Sequence, residues 1–186
     1  LLLIIASYRL TDIVMGPMAN PFYIDMGYTL SEIGYIVKVV ALISTIIGVF
    51  VGGILIKKFG LYKSLLIGAF LVMITNLLFS YTAITEKNLT LLASIVASDS
   101  LAAGIVGTVN ITFLTSLVSQ KYTGFQYALL TSVMTFTGTI FKGFSGVIVE
   151  NFQSLYGFNH GWMSFYIFTS CLALPAILLI ISKKGF

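Results

Sequence analysis

The chain has 186 residues, of which 58% are apolar and only 9% charged. Soluble domains are about half apolar and a quarter charged, and with a mean hydropathy of +1.04 this composition indicates an integral membrane protein. The net charge of +4 comes from lysines that gather at the ends of apolar runs. That is a topology signal rather than a nucleic-acid footprint. The single cysteine, Cys171, excludes an intramolecular disulfide.

Six apolar segments follow in order, over 1–19, 33–56, 62–83, 89–117, 126–149 and 162–182. Each approximates the ~20 residues a membrane helix needs. The ~10-residue alternating strands of a barrel do not fit. The expected fold is all-α, a polytopic bundle of six transmembrane helices in one domain, 1–186. The first segment opens inside an apolar run, without Met or a basic leader, so a piece of a longer polypeptide is expected. It carries Arg9 and Asp12, and Asn20-Pro21 is expected to end it. Asp25, Gly27 and Ser31-Glu32 then fall in a loop, with Ser31 as cap of the next helix.

The second segment carries Lys38 and runs into the basic turn Lys57-Lys58-Phe59-Gly60-Leu61-Tyr62-Lys63. Its Gly48-Val49-Phe50-Val51-Gly52 run predicts close helix packing. The third holds Asn76 and ends at the polar loop Thr85–Asn88. The fourth holds Asp99 and Asn110, with Gly104 and Gly107 expected at packing positions. A loop over Ser119–Gly124 precedes the fifth, which holds Lys142. Glu150–Gly161 reads as a longer loop containing His160, the only histidine. One histidine without clustered partners makes no metal site. Tyr156, Trp162 and Tyr166, near a span end, read as an interfacial aromatic belt.

Lys57, Lys58, Lys63, Lys121, Lys183 and Lys184 fall on one side of the alternating topology, and Lys87 alone on the other. The positive-inside rule puts both ends of the chain in the cytoplasm.

The run from Gly53 to Lys63 resembles the Gly-x-x-x-Asp-Arg-x-Gly-x-Arg-Arg gating loop of the major facilitator superfamily. Gly60 suits a tight turn, Gly53 a close helix approach, and Lys57, Lys58 and Lys63 supply the positive charge. Lys57 stands where the family has its acid, so the usual gating ion pair is altered. Four further stretches narrow the resemblance to the AmpG-type muropeptide permeases. They are Tyr8-Arg9-Leu10-Thr11-Asp12, Glu32-Ile33-Gly34-Tyr35-Ile36-Val37-Lys38, Gly52-Gly53-Ile54-Leu55 and Gln126-Tyr127-Ala128-Leu129-Leu130-Thr131. Their order is similar to helices seven to twelve of that family. The related acetyl-CoA transporters share the likeness.

The resemblance implies the C-terminal half of a twelve-helix carrier in a bacterial inner membrane. It implies proton-coupled uptake of anhydro-muropeptides, with an N-terminal six-helix half as partner. Asp99-Ser100-Leu101-Ala102-Ala103-Gly104 matches the family's acidic tenth-helix run, with Ser in place of Asn. On that basis Asp99 and Asp12 are the proton-coupling candidates. Arg9, Lys38, Asn110 and Lys142 are the substrate-binding candidates. No cofactor is implied.

Charge inside a span costs at least ~2.5–3.5 kcal/mol on insertion scales, which makes such residues functional candidates. Each also has a plainer reading. Arg9 and Asp12, three apart, pair on one helix face. Lys38 snorkels to the interface. Lys142 pairs with Asp99 or Glu150. Asn76 and Asn110 are uncharged intramembrane groups, and Asn110 either lines a cavity or bonds between helices. No phosphate-binding loop or nucleophile elbow is present, so an enzyme is disfavoured. The remaining alternatives are a related carrier for another anionic solute, such as acetyl-CoA, and a non-transporting remnant or scaffold.

Overall fold

The computed structural model describes residues 2–119 and 122–182. Lys121, Lys183 and Lys184 of the charge argument lie outside the described residues. The described chain is helical: α1 (Leu2–Tyr8), α2 (Leu10–Asp25), α3 (Leu30–Tyr35), a π-turn (Ile36–Val40), α4 (Ala41–Phe59), α5 (Leu61–Thr82), α6 (Leu89–Ser116), α7 (Thr123–Tyr156), α8 (Phe158–Cys171) and α9 (Leu174–Ser182). Five stretches are long and apolar enough to cross a membrane: Leu30–Phe59, Leu61–Thr82, Leu89–Ser116, Thr123–Tyr156 and Phe158–Ser182. The pair α1–α2, interrupted only at Arg9, makes a sixth rod.

The rods are joined by short turns set by local chemistry. Gly60 adopts φ +81° between α4 and α5, and Gly157 φ +85° between α7 and α8. Residues with a Cβ resist this region. Lys57 and Lys58 occupy the last turn of α4, where cations complement the helix dipole.

Several sequence expectations are corrected. Asn20-Pro21 does not end the first helix, because α2 continues through Pro17 and Pro21 to Asp25. Buried Val14, Met15, Phe22 and Tyr23 anchor it to its neighbours, and packed helices tolerate such prolines. Thr29, not Ser31, caps α3, with Glu32 closing a capping box. Glu150–Gly161 is not a loop. α7 runs to Tyr156 and α8 begins at Phe158, which leaves exposed His160 in the first turn of a helix.

The π-turn at 36–40 has no counterpart in the expectations. Trp162 and Tyr166 are buried against Phe22 and Phe79 rather than forming a belt, while Tyr156 is exposed. Gly53 and Gly107 approach nothing. The backbones meet, as the small-residue run predicts, at Gly48 and Gly52 of α4 and at Gly104 of α6.

The turn at 26–29, the loop at 83–88 and Gly157 share one end of the bundle. Tyr28 donates to the Asn88 carbonyl at 3.1 Å, and the Trp162 indole donates to Asp25 at 3.0 Å. Gly60 lies at the opposite end, where Tyr62 meets Phe113 with ring centroids 6.2 Å apart. Two apolar clusters fill the bundle. One holds Ile4, Tyr8, Val72, Ala102, Val106, Phe113, Ala173 and Ile177. The other holds Leu10, Val14, Phe22, Phe79, Val96, Trp162 and Tyr166.

Candidate functional site

The boundary between the clusters is polar on every helix that crosses it. Arg9 and Asp12 follow Tyr8, Thr75 and Asn76 separate Val72 from Phe79, Asp99 separates Val96 from Ala102, and Thr169 and Ser170 separate Tyr166 from Ala173. Hydrogen bonds join this layer. The Thr75 hydroxyl donates to Asp99 Oδ1 at 2.9 Å and to the Val72 carbonyl at 3.1 Å. Asn76 Nδ2 donates to the same Val72 carbonyl at 2.9 Å. Asn76 Oδ1 accepts from the Thr169 hydroxyl at 3.1 Å. Ser170 donates to the Met73 carbonyl at 2.9 Å.

Arg9 occupies the break between α1 and α2, with φ −105° and ψ 7°. Its Nε lies 3.8 Å from Asp12 Oδ2, so the expected local pair is present. That distance is too long for a hydrogen bond. Arg9 Nε, Asp12 Oδ2, the Thr11 hydroxyl and the Tyr166 hydroxyl are all buried without a hydrogen-bond partner. The layer thus holds one cation, two carboxyl groups and unsatisfied donors. Such a cluster can hold a solute polar group or a proton, because its bonding capacity is not internally exhausted.

The remaining candidates lie elsewhere. Lys38 sits on the π-turn and is exposed. It lines a groove of about 480 Å³ with Asn20, Ile24, Leu30, Gly34 and Val37. π-turns are rare and frequent at functional sites. Lys142 is exposed on α7. Among the described residues the ion pairs are Arg9–Asp12 and Lys87–Glu32, so Lys142 pairs with neither Asp99 nor Glu150. It lies one turn beyond Gly138, which abuts the Ile13 side chain of α2. Asn110 does not join the layer. Eleven residues along α6, about 16 Å, separate it from Asp99, and its Nδ2 faces Met134 Sδ at 3.4 Å. Asn110 Oδ1 is unpartnered.

In the basic turn, Lys57 and Lys58 are exposed and make no ion pair among the described residues. Lys58 Nζ lies 5.2 Å above the Phe59 ring. Gly60 and Lys63 line a cavity with Phe59, Tyr62, Ile180 and Ile181.

Sequence reading missed Thr75 and Thr169, read Tyr166 as part of a belt, and singled out Asn76 without placing it in the layer. The available signal was the adjacent polar pair Thr75-Asn76 inside an apolar run.

Residues 1–184 match the Major Facilitator Superfamily. This chain belongs to that superfamily. As a member it is a multi-pass membrane protein of a transporter family rather than an enzyme. It is 31% identical over 184 residues to "Putative transporter AmpG 1" of Rickettsia prowazekii, covering 99% of this chain and 40% of that protein. It is 33% identical over 186 residues to "Putative transporter AmpG 4" of Rickettsia felis, covering 99% and 43%. It is 30% identical over 183 residues to the "Anhydromuropeptide permease" of Escherichia coli, covering 97% and 35%. The chain spans about two fifths of the length of these curated relatives. The six-rod architecture fits half of a major-facilitator fold.

Proposed function

We propose that this superfamily member is one half of a proton-coupled carrier that takes up anhydro-muropeptides across a bacterial inner membrane. The observation that carries this reading is the polar layer of Arg9, Asp12, Thr75 and Asp99 between two apolar clusters. The printed name of the Escherichia coli relative supports the solute class. A half-bundle offers one wall of a cavity, and an N-terminal six-helix half supplies the other. Transport then proceeds by rocking of the halves about a midplane site.

In this scheme the Arg9 guanidinium receives a peptide carboxylate, to which its planar fork is suited. Asp12 orients Arg9. Lys38 and Lys142 attract the anionic solute along the open face, and Asn110 contributes amide contacts nearer the other end. Asp99 carries the coupling proton and Thr75 positions its carboxyl group. The basic turn with Gly53, Lys57, Lys58, Gly60 and Lys63 gates the cytoplasmic side, and both ends of the chain are cytoplasmic.

The test uses the complete carrier, with its complementary half, in proteoliposomes. Asp99→Asn is expected to abolish proton-driven accumulation of anhydro-muropeptide while sparing counterflow exchange, which moves no net proton. Normal accumulation by a well-folded Asp99→Asn protein removes Asp99 from the coupling role. Uptake of acetyl-CoA in preference to muropeptide reassigns the solute. Indifference to loss of all five intramembrane charges marks a non-transporting scaffold.

A further inference from the structure

The cavity beneath the Gly60 turn has charge at one end and hydrocarbon along the rest. It holds about 250 Å³ between the start of α5 and the end of α9. Lys63 lines it beside Phe59 and Gly60, and Leu66, Ile180 and Ile181 form its apolar wall. Lys58 Nζ lies 5.2 Å above the ring of Phe59. That is within cation–π range, and it keeps a second ammonium group beside the cavity. The volume falls below the ~300–1,000 Å³ of sites that engulf drug-sized molecules, so a glycopeptide solute does not fit inside it.

No acidic side chain of this chain neutralises that charge. Lys57, Lys58 and Lys63 make no ion pair among the described residues. The six Asp and Glu residues are Asp12, Asp25, Glu32, Glu86, Asp99 and Glu150. Asp12 and Asp99 belong to the polar layer in the middle of the bundle. Asp25 and Glu150 line a cavity with Trp162 at the opposite end, where Glu32 and Glu86 also lie. The counter-charge for the basic end is therefore supplied from outside this set of side chains.

The apolar wall of the cavity runs on along the outside of the bundle. On α5, exposed Phe70 and Ile74 follow Tyr62 and Leu66 at four-residue spacing. On α9, exposed Leu174 and Leu178 precede Ile181. Residues three and four apart share a helix face, so both stripes continue the lining of the cavity, and α5 and α9 pack together. From Tyr62 to Ile74 the stripe runs about 18 Å at 1.5 Å per residue. Half of a ~30 Å hydrocarbon core is about 15 Å, so the stripe matches one acyl chain reaching from the charged end toward the midplane. We propose that this cavity is a binding site for one anionic phospholipid, with its phosphate between Lys58 and Lys63 and an acyl chain along α5 and α9. Basic pockets between membrane helices bind acidic lipid headgroups, and Lys57 adds a third positive charge at the same end. The site is separate from the polar layer and does not depend on the solute reading; it requires only that the chain spans a membrane.

The experiment is native mass spectrometry of the complete carrier, stripped of lipid in detergent and titrated with phosphatidylglycerol or phosphatidylcholine. One phosphatidylglycerol is expected to bind in preference to phosphatidylcholine. Lys58→Gln/Lys63→Gln is expected to weaken it by about fivefold for each lysine removed, the weight of one basic residue at an anionic surface. Ile181→Trp, at an exposed position, fills the cavity mouth and is expected to weaken it with every lysine in place. Lys87→Gln, at the opposite end, is expected to leave it unchanged. Melting curves matching the parent protein establish that each variant is folded. Equal binding of the two lipids overturns the proposal. So does full competition by glycerol phosphate at matched concentration, which marks a site for free phosphate. Unaltered binding by Ile181→Trp also overturns it, since the lysines then act as a diffuse charge. Absence of phosphatidylglycerol binding overturns it as well and assigns the lysines to acids of the complementary half. The readout needs no transport, so its failure is distinct from failure of the Asp99→Asn uptake test.

Discussion

Gly48 of α4 faces the backbone carbonyl of Leu101 on α6 with no room for a side-chain carbon between them. The contact is reciprocal, because Gly104 faces the Thr45 carbonyl in the same way. The obstructing atoms are backbone, which cannot rotate away. Gly48→Ala is therefore expected to destabilise the bundle by about 1–3 kcal/mol, as overpacking does. Gly53→Ala and Gly107→Ala meet nothing within 4 Å. They are expected to be neutral or stabilising by up to ~1 kcal/mol through helix propensity. Thermal unfolding in detergent compares the three. Equal behaviour of Gly48→Ala and Gly107→Ala would refute the seam.

The Arg9–Asp12 pair predicts a non-additive result. Arg9→Met alone leaves the Asp12 carboxyl group without its cation. The expected loss is about 1–3 kcal/mol, below the ~3–5 kcal/mol of a fully buried pair because the Arg9 side chain keeps 36% exposure. The double variant Arg9→Met/Asp12→Leu is expected to recover much of that loss. Denaturation of both in the same detergent checks it. A double variant that loses the sum of the singles would show that the two side chains act separately.

At the end opposite Gly60, the Tyr28 hydroxyl donates to the Asn88 carbonyl and accepts from the Asn88 amide, at 3.1 and 3.2 Å. Lys87 reaches Glu32 at 2.9 Å and lies 5.3 Å from the Tyr28 ring centre. Tyr28→Phe is expected to lower stability by about 1–2 kcal/mol, because it removes partly buried bonds between two loops. Lys87→Met should do less, and less still in high salt, since its ion pair is exposed. Melting curves at low and high salt distinguish the two. The reverse order would make the ion pair the main link.

Trp162 offers a test of the aromatic correction. It is 2% exposed and donates to Asp25 across 137 residues of chain. Trp162→Ala is expected to cost roughly 3–5 kcal/mol, as large aromatic truncations in cores do. Tyr156→Ala, at a 58% exposed position, should cost little. If both residues served a lipid-interface belt, both variants would instead weaken membrane anchoring alike.

Orientation can be read by cysteine labelling in a Cys171→Ser background, since Cys171 is itself exposed. A thiol at exposed Glu86 is expected to react from outside the cell and one at exposed Lys58 from the cytoplasmic side. Exclusive labelling of the Glu86 position from the cytoplasm would invert the topology.

Properties local to one helix were open to reading from the amino acids alone. Hydropathy marked the six rods, Gly60 marked its turn, and the spacing of Arg9 and Asp12 marked their pair. The gating-loop resemblance marked the family. Segment ends were less legible. Pro21 and the Glu150–Gly161 segment were misjudged: buried Phe22 and Tyr23 carry α2 past Pro21, and the positive-φ turn at Gly157 shrinks the expected loop to a single residue between α7 and α8.

Tertiary structure alone decided which face of each rod turns inward. Thr75 finds Asp99 across 24 residues of chain, and Thr169 finds Asn76 across 93. Only the folded bundle brings these into one layer, leaves Asn110 out of it, and chooses Gly48 over Gly53 as the contact. The physical reason is that lipid and protein interior are both apolar. A membrane helix that is greasy on every side carries no amphipathic stripe to state its rotation. Rotation is settled by close backbone fit at small residues and by polar groups that must find one another, and both depend on distant parts of the chain.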